Sequence, residues 1–521
     1  MMITVTQTPG LLKVGDSAAA QKFVDQLKST AAPQAQAQLL TQLQLLEDSS
    51  LAPPARLDVL ELLREPIVTT QESRVREFAG KPVPFDDETR DVFTRTITLW
   101  QTVANTYESL ITAMAEDGSP LAAKADVVCY RALRAVHQAF AAFRRAYHEP
   151  TPALWQQLHR LYAFAESAHV TAVPFAEKTV TESTAGLLYL QVVLAQKVQP
   201  DALSQTQMNI LDRILDKWGI LGLIASEPPQ VQPDKLLTVD LDSGTGAHLG
   251  QVDSRSSRRY LLIDAVGEQL REAALGLKKS SPDKLGLGPV PRDACEKLLL
   301  SAYTQWFAPG SGRVDERKPA SFNVMVSNTL SAIHYNLSGK PFTSPDTGLS
   351  SRAKFDLAGF ERVDGPAVGE ASGRSRELET WTVANQSASG VLGMCRNPNG
   401  ATRLSYNQLL GLVAPNGNAY IGFVQRLSVD PAGATSLGFR LLRAKPETAA
   451  ARIADIHNPY DRALLVPAVA DKEPATIILP AGSYRPGGIV DLHVDGLTRQ
   501  IKLTGLFDNG CNFDRATYTK P

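Results

Sequence analysis

The sequence predicts a multidomain α+β protein with a helical first half, a small α/β domain in the middle and a β-barrel at the end. Apolar residues recur at helical spacing up to about residue 225, and strand and helix patterns alternate over 226–345. Short strands separated by turn residues then fill 346–521. A chain of 521 residues is also too long for one hydrophobic core. We therefore expect a helical domain at 1–225, an α/β domain at 226–345 and a barrel domain with a loop-rich N-terminal arm at 346–521.

The composition is that of a globular protein without a strong charge bias. Apolar residues make up 43% of the chain, charged residues 21%, and the net charge is −1, which gives no long-range attraction to nucleic acid or anionic membranes. The N-terminus lacks the pattern of a signal peptide, and no apolar run is long enough for a transmembrane helix. Four widely spaced cysteines without a C-x-x-C pair argue against disulfides and zinc. These features predict a cytoplasmic chain.

The first region is predicted to be a helical bundle or a short α-solenoid. One apolar stripe at spacings of three and four consists of Phe93, Ile97, Trp100, Ala104, Tyr107, Ile111 and Met114. Breakers at 118–120 and 149–152 separate this helix from the next ones, as expected for antiparallel helix pairs. We expect this region to bind a protein partner, and the sequence leaves open whether the chain forms a homo-oligomer.

Histidines that are candidates for metal ligands occur four times in this region, at His137, His148, His159 and His169. Their spacings place no two of them on one helix turn, as a metal site would require. The sequence therefore predicts surface or boundary histidines and no metal site.

The middle region follows a proline-rich linker, and its strands alternate with helices as in a small α/β domain. After its first strand, residues 238–246 read T-V-D-L-D-S-G-T-G. This stretch is similar to the first phosphate loop of actin-like and chaperone ATPases, in which the aspartate handles the metal and backbone amides hold phosphate. A second phosphate loop and an adenosine motif are missing, so a plain glycine turn is the favoured interpretation.

The third region contains a polar hexapeptide between two strands. Residues 381–384, W-T-V-A, predict a short strand, and Asn385-Gln386-Ser387-Ala388-Ser389-Gly390 predicts the corner after it. Apolar strand-like segments and the turn signals Asn416-Gly417 and Asn509-Gly510 continue to the C-terminus, which is the pattern of a small barrel.

On these residues the third region resembles a PilZ-like domain, the barrel that commonly receives cyclic di-GMP in bacteria. The hexapeptide matches the family's motif D/N-x-S-x-x-G at every defined position. Segments 154–166, 186–201, 258–287 and 324–342, with the barrel, are also similar to a proteobacterial group with a helical first half. The resemblance implies that Asn385, Ser387 and Gly390 contact a guanine of cyclic di-GMP, because Asn and Ser side chains both donate and accept hydrogen bonds.

In that family, arginines of an R-x-x-x-R motif before the barrel bind the phosphates and the guanine edge. In the arm before the hexapeptide, no two of Arg352, Arg362, Arg374 and Arg376 have this spacing. The motif is therefore expected to be missing, and Arg374, Arg376 and Arg352 are the candidate substitutes. In the alternative interpretation, Asn385 and Ser387 only stabilise a turn through hydrogen bonds to the backbone.

No catalytic arrangement of residues stands out, so the sequence predicts a non-enzyme without a cofactor, for which cyclic di-GMP is the candidate ligand. The favoured function is a bacterial signalling or adaptor protein whose barrel binds cyclic di-GMP and whose helical half contacts a protein partner. The runner-up is a scaffold with a degenerate barrel that binds no nucleotide. A third alternative, from the enzyme class, is an ATPase that uses the loop at 240–246.

Overall fold

A computed structural model describes residues 11–114, 119–177, 180–229, 236–250, 255–308, 317–345, 378–387, 391–396, 402–454, 459–469 and 473–521. The chain divides into two compact units. The first consists of Met1–Lys81 and Phe85–Arg313, and the second of Pro82–Pro84 and Val314–Pro521.

The helices of the first unit follow the predicted stripes. In the described residues they are α1 (Ser17–Leu27), α2 (Ala32–Glu47), α3 (Pro53–Phe78), α4 (Asp87–Met114), α5 (Ala125–Arg145), α6 (Pro152–Ser167), α7 (Ala185–Lys197), α8 (Gln205–Trp218), α9 (Asp264–Gly276) and α10 (Arg292–Phe307). Every residue of the predicted stripe on α4, from Phe93 to Met114, is buried. Proline at the first or second position starts α2, α3 and α6, where its missing N–H costs nothing. The predicted helical first half is therefore confirmed.

The strands of the first unit are short. They are β1 (Phe175–Glu177), β2 (Val180–Ser183), β3 (Leu223–Ala225), β4 (Leu237–Asp240), β5 (His248–Leu249) and β6 (Arg258–Leu262). The last four form an antiparallel sheet in the order β3-β6-β4-β5. Trp306 of α10 is fully buried and donates from Nε1 to the carbonyl oxygen of Leu194 in α7, at 3.1 Å. The sheet and α10 thus join the helical unit, and the expected domain boundary at 225/226 does not separate two compact units.

The second unit begins with a strand of the first of two barrels. This barrel contains β7 (Arg317–Ser327), β8 (Glu379–Ser387), β9 (Val391–Arg396), β10 (Leu409–Val413), β11 (Ala419–Val429) and β12 (Thr435–Leu441), with helix α11 (Leu330–Ser338) after β7. It closes in the order β10-β11-β12-β9-β8-β7, because β10 also pairs with β7. Strand β7 lies in the region expected to form a middle α/β domain, but it belongs to a barrel. The boundary between the units lies at 313/314, not at 345/346.

The second barrel follows directly. It contains β13 (Glu447–Ile453), β14 (Asp461–Val466), β15 (Thr476–Leu479), β16 (Ile489–Val494), β17 (Leu497–Asn509) and β18 (Asp514–Thr519), and it closes in the order β13-β14-β15-β18-β17-β16. Numbered within each barrel, both have the circular strand order 1-2-3-6-5-4. The predicted C-terminal barrel is confirmed, but residues 314–521 form two barrels of the same topology where the sequence predicted one.

The two barrels share a core around α11. Ile333 of α11 is fully buried in one cluster with Phe423 of the first barrel and Leu464, Ile478 and Phe513 of the second. Asn512 strengthens the contact, since its Nδ2 donates to the carbonyl oxygens of Asn328 and Leu409, at 3.0 and 2.9 Å. The barrels therefore pack as one unit. Across the described part of the chain, no helix has the length and apolar character needed to cross a membrane.

Candidate functional site

The N-x-S-x-x-G motif begins inside a strand and not at its end. Strand β8 extends to Ser387, so Asn385, Gln386 and Ser387 are strand residues where the sequence predicted a corner. Asn385 and Ser387 are half-buried, whereas Gln386 is exposed. Gly390 lies outside the described residues. Two residues of the predicted site therefore lie two positions apart on the same strand.

Asn385 lies in a row of cross-strand partners that runs over five strands. The row consists of Pro319 of β7, Asn385 of β8, Gly393 of β9, Gly438 of β12 and Arg426 of β11. A Cβ at position 393 would lie 2.7 Å from both Oδ1 and Nδ2 of Asn385, and a Cβ at 438 would lie 3.1 Å from the Cβ of Arg426. The two side chains thus cover a floor made of two glycines.

This row faces outward from the barrel. The adjacent row contains Val383, Met394, Leu437 and Leu427, all buried in the barrel interior. Because neighbouring residues of a strand point to opposite faces, Gly393, Gly438 and Arg426 belong to the outer face. A bulge between Val383 and Asn385 shifts β8 by one residue and brings Asn385 into the outward row. We call this surface, formed by Asn385, Gly393, Gly438 and Arg426, the glycine floor.

The amide oxygen of Asn385 has no hydrogen-bond partner in the described part of the chain. Oδ1 is shielded from solvent and accepts no hydrogen bond. A buried carbonyl oxygen without a donor costs about 1–3 kcal/mol. The interpretation in which Asn385 only stabilises a turn through its side chain therefore lacks the hydrogen bond that it requires at Oδ1. The unpaired oxygen is what a site for a hydrogen-bond donor would contain.

Strand β7 brings a second motif to the same end of the barrel. Arg317, its first residue, is the cross-strand partner of Ser387, and Lys318 is the partner of Gln386. Residues 313–317 read R-V-D-E-R, which is the R-x-x-x-R spacing. The expectation that this spacing is missing upstream is therefore wrong. It considered only the arginines of the arm at 346–377, whereas the R-x-x-x-R sequence ends at the first residue of β7.

The other predicted arginines cannot be placed in this geometry. Arg352, Arg374 and Arg376 lie outside the described residues, as does Arg313. Arg317 is identified as a candidate site residue by the pairing of β7 with β8. The sequence separates these strands by a long insertion at 328–378, so their motifs are distant in the chain although their strands are neighbours.

The loop at 240–246, which suggested an ATPase, is a closed turn. Three of its amides are occupied internally, since the N–H groups of Ser243 and Asp242 donate to the backbone oxygen and to Oδ1 of Asp240, and that of Thr245 donates to Oγ of Ser243. A Cβ at Gly246 would lie 2.6 Å from the ring of Trp155. These contacts favour the plain glycine turn over a phosphate loop.

A histidine anchors that loop. His159 was predicted at a surface or boundary, but it is fully buried. Its Nε2 lies 2.9 Å from the carbonyl oxygen of Thr245, and its Nδ1 lies 2.9 Å from the hydroxyl of Tyr189. A carbonyl oxygen only accepts, so Nε2 carries the proton and Nδ1 accepts from Tyr189. Burial lowers the pKa of His159. Among the described residues, no group of three His, Cys, Asp or Glu side chains is arranged to hold a metal.

Two family models match the chain. The N-terminal domain of the cyclic-di-GMP receptor FimW matches residues 18–227, and the FimW C-terminal β-barrel domain matches residues 449–521. Together they cover more than half of the sequence, in the expected order. The chain belongs to the FimW family. No curated protein and no solved structure is significantly similar to it.

The two matched segments lie on either side of the first barrel in the sequence, and the first barrel contains the candidate site. The FimW N-terminal model spans α1 to β3 and the FimW C-terminal model spans most of the second barrel, so the first barrel lies between them. The resemblance to a cyclic di-GMP receptor family is thus confirmed, and the family is described as a receptor and not as an enzyme.

Proposed function

We propose that this chain is a cyclic di-GMP effector whose ligand binds the first barrel, where β7, β8 and β9 meet beside the glycine floor. The observation that carries this proposal is the pairing of Arg317 with Ser387, two residues from Asn385. Through it, the R-x-x-x-R sequence and the first half of the N-x-S-x-x-G sequence come to the same end of two adjacent strands. Membership in a cyclic-di-GMP receptor family supports the same ligand.

The chemistry of these residues suits the two parts of the ligand. A guanine presents N–H donors, and the unpaired Oδ1 of Asn385 is an acceptor without a donor. The glycines at 393 and 438 leave room for the side chains of Asn385 and Arg426 to lie flat on the strands, so a base can stack on or bond to these two side chains. Arginine has the planar fork that pairs with phosphate oxygens and with the O6 and N7 atoms of guanine. We assign the phosphates to Arg313 and Arg317.

Arg426 is a further candidate that no sequence motif identifies. It is half-buried at the opposite end of the glycine floor from Asn385, and its aliphatic stem lies over Gly438. A guanidinium at this position is suited to stack on a base or to bond its edge. Arg352, Arg374 and Arg376 of the arm are secondary candidates, from which we expect weaker phosphate contacts than from Arg313 and Arg317.

We propose that the helical unit transmits the binding of cyclic di-GMP to a protein partner. The chain acts in the cytoplasm, and the helices contact the partner when cyclic di-GMP occupies the barrel. Helical bundles offer long grooves for such contacts. The competing proposal, a scaffold with a degenerate barrel, predicts the same partner contact with no dependence on the nucleotide.

Calorimetric titration of the full chain with cyclic di-GMP tests the proposal. We expect saturable binding that Asn385→Ala weakens about tenfold, because one or two hydrogen bonds to the base are lost. The control is Gln386→Ala, which changes the exposed neighbour and should keep the wild-type affinity. Absence of binding by the wild-type chain, or equal affinity of the Asn385 variant, would favour the scaffold.

A further inference from the structure

The helical unit contains a cavity that the proposed function does not use. Its volume is about 590 Å³, which lies in the range of small-molecule sites. Helices α3, α4, α5, α7 and α8 contribute to its lining, and we call the small side chains of Ala141 and Ala142 on α5 the floor of the cavity. The cavity is therefore large enough for a ligand of nucleotide size.

The cavity is lined by more basic than acidic groups. The charged residues are Glu72, Arg76, Arg134, Arg144, Arg145, Asp212 and Asp216. Asp212 binds both Arg144 and Arg145, with N–O distances of 2.5 Å. In the described part of the chain, Arg76 and Arg134 form no ion pair. Arg76 thus lines the cavity without a carboxylate partner, whereas Arg134 acts on the nearby Asp216, whose pKa burial raises and the charge of Arg134 lowers. The excess of arginines over carboxylates favours an anionic ligand.

Two side chains at the cavity have an atom without a hydrogen-bond partner in the described part of the chain. Arg144 is only 5% exposed, yet its Nε forms no hydrogen bond. Oε1 of Gln205, which also lines the cavity, is unpaired as well. The guanidinium needs an acceptor, and the amide oxygen needs a donor. A bare anion satisfies only the first requirement, so the ligand must also carry N–H or O–H groups.

A histidine adds polarity to the cavity without adding charge. His137 lines it, and burial together with the nearby Arg134 and Arg144 holds the pKa of His137 well below its usual value. The imidazole is therefore neutral near pH 7, and its side chain interacts with that of Gln191. The positive charge of the cavity rests on arginines alone, which remain protonated at any physiological pH.

We propose that this cavity binds a nucleoside monophosphate, with the phosphate at Arg134 and Arg76 and a base or sugar donor at Gln205. The cavity lies wholly within the helical unit, so the site is independent of the barrel site and of the proposed cyclic di-GMP binding. It makes the helical unit a second ligand-binding domain of the chain.

Calorimetric titrations of the full chain with GMP, AMP and inorganic phosphate test this site. We expect at least one nucleotide to bind at least tenfold more tightly than phosphate. Arg134→Gln should weaken that binding at least tenfold, and Ala141→Trp, which fills the floor, should abolish it. Arg95→Gln is the matched control, because Arg95 is an exposed arginine of α4 away from the cavity. Thermal unfolding shows whether each variant is folded.

The barrel variant separates this site from the proposed function. Asn385→Ala should leave nucleotide binding unchanged, and Ala141→Trp should leave the affinity for cyclic di-GMP unchanged. Three results overturn the inference: no binding of GMP or AMP by the wild-type chain, unchanged affinity in both cavity variants, or loss of nucleotide binding in Asn385→Ala.

Discussion

Asn385 on β8 and Gly393 on β9 are cross-strand partners, and the side chain of Asn385 occupies the space that a Cβ at 393 would need. That Cβ would lie 2.7 Å from both Oδ1 and Nδ2 of Asn385. Contacts below 3.0 Å are not tolerated without movement, so the position of the Asn385 amide depends on glycine at 393. The Asn385 amide, which is proposed to bind the ligand, therefore keeps its position because residue 393 has no side chain.

Gly393→Ala should displace the Asn385 amide and weaken cyclic di-GMP binding about tenfold or more, without changing any residue that contacts the ligand. Calorimetric titration measures the affinity, and circular dichroism should show an intact fold. Gly505→Ala in the second barrel is the control, because its Cβ would meet only a hydroxyl, that of Thr517, at 3.2 Å. Equal effects of the two substitutions would argue against a role for the pair of Asn385 and Gly393.

Ile333→Ala should loosen both barrels together. Ile333 is fully buried in the cluster shared by the barrels, and removal of such a side chain costs about 2–5 kcal/mol. Hydrogen exchange of the full chain should show faster exchange in β10 and in β14. Leu497→Ala at an exposed hairpin end should change the exchange little. Faster exchange in one barrel alone would show that the barrels do not unfold as one unit.

The buried His159 should make the helical unit sensitive to acid. Burial lowers its folded pKa, while the unfolded imidazole titrates near 6.5. At a pH between the folded and the unfolded pKa of His159, the unfolded state binds one more proton than the folded state. The contribution of the neutral His159 to the free energy of unfolding is therefore complete above about pH 6.5 and is lost as pH falls. Thermal unfolding from pH 7.5 to 5 should therefore show a falling midpoint.

His159→Gln isolates this effect from the other histidines. The variant should unfold more easily at pH 7.5, because the hydrogen bonds with Thr245 and Tyr189 are weakened, but its midpoint should depend less on pH. His169→Asn is the control, since His169 is exposed and its positive φ suits asparagine. An unchanged pH dependence in His159→Gln would contradict the assignment.

The sequence predicts the elements of this protein better than their grouping. The stripe from Phe93 to Met114 requires only local periodicity, and all of its members are buried. The number of barrels depends on closure, which is set by the pairing of β10 with β7 and of β13 with β16. Only residues 442–446 separate the barrels, so no linker marks the boundary. A series of similar short strands does not show where one barrel closes.

Only the part of the candidate site that is contiguous in the chain could be predicted from the sequence, for the same reason. Asn385 and Ser387 were found because their motif is contiguous. Arg317 was missed because its closeness to Ser387 results from strand pairing across a long insertion. Arg426 and the two glycines have no motif at all, since they meet only through register in the closed barrel.

The most direct test of the proposed site compares the cyclic di-GMP affinities of two arginine double variants. The double variant Arg313→Ala/Arg317→Ala should lose cyclic di-GMP affinity by about a hundredfold or more, since each charge-assisted hydrogen bond contributes about 1.5–3 kcal/mol. The matched double variant Arg374→Ala/Arg376→Ala removes the same charge from the arm and should lose much less. We expect this order of affinities in calorimetric titration of the full chain. Wild-type affinity in the first variant, with loss in the second, would contradict it.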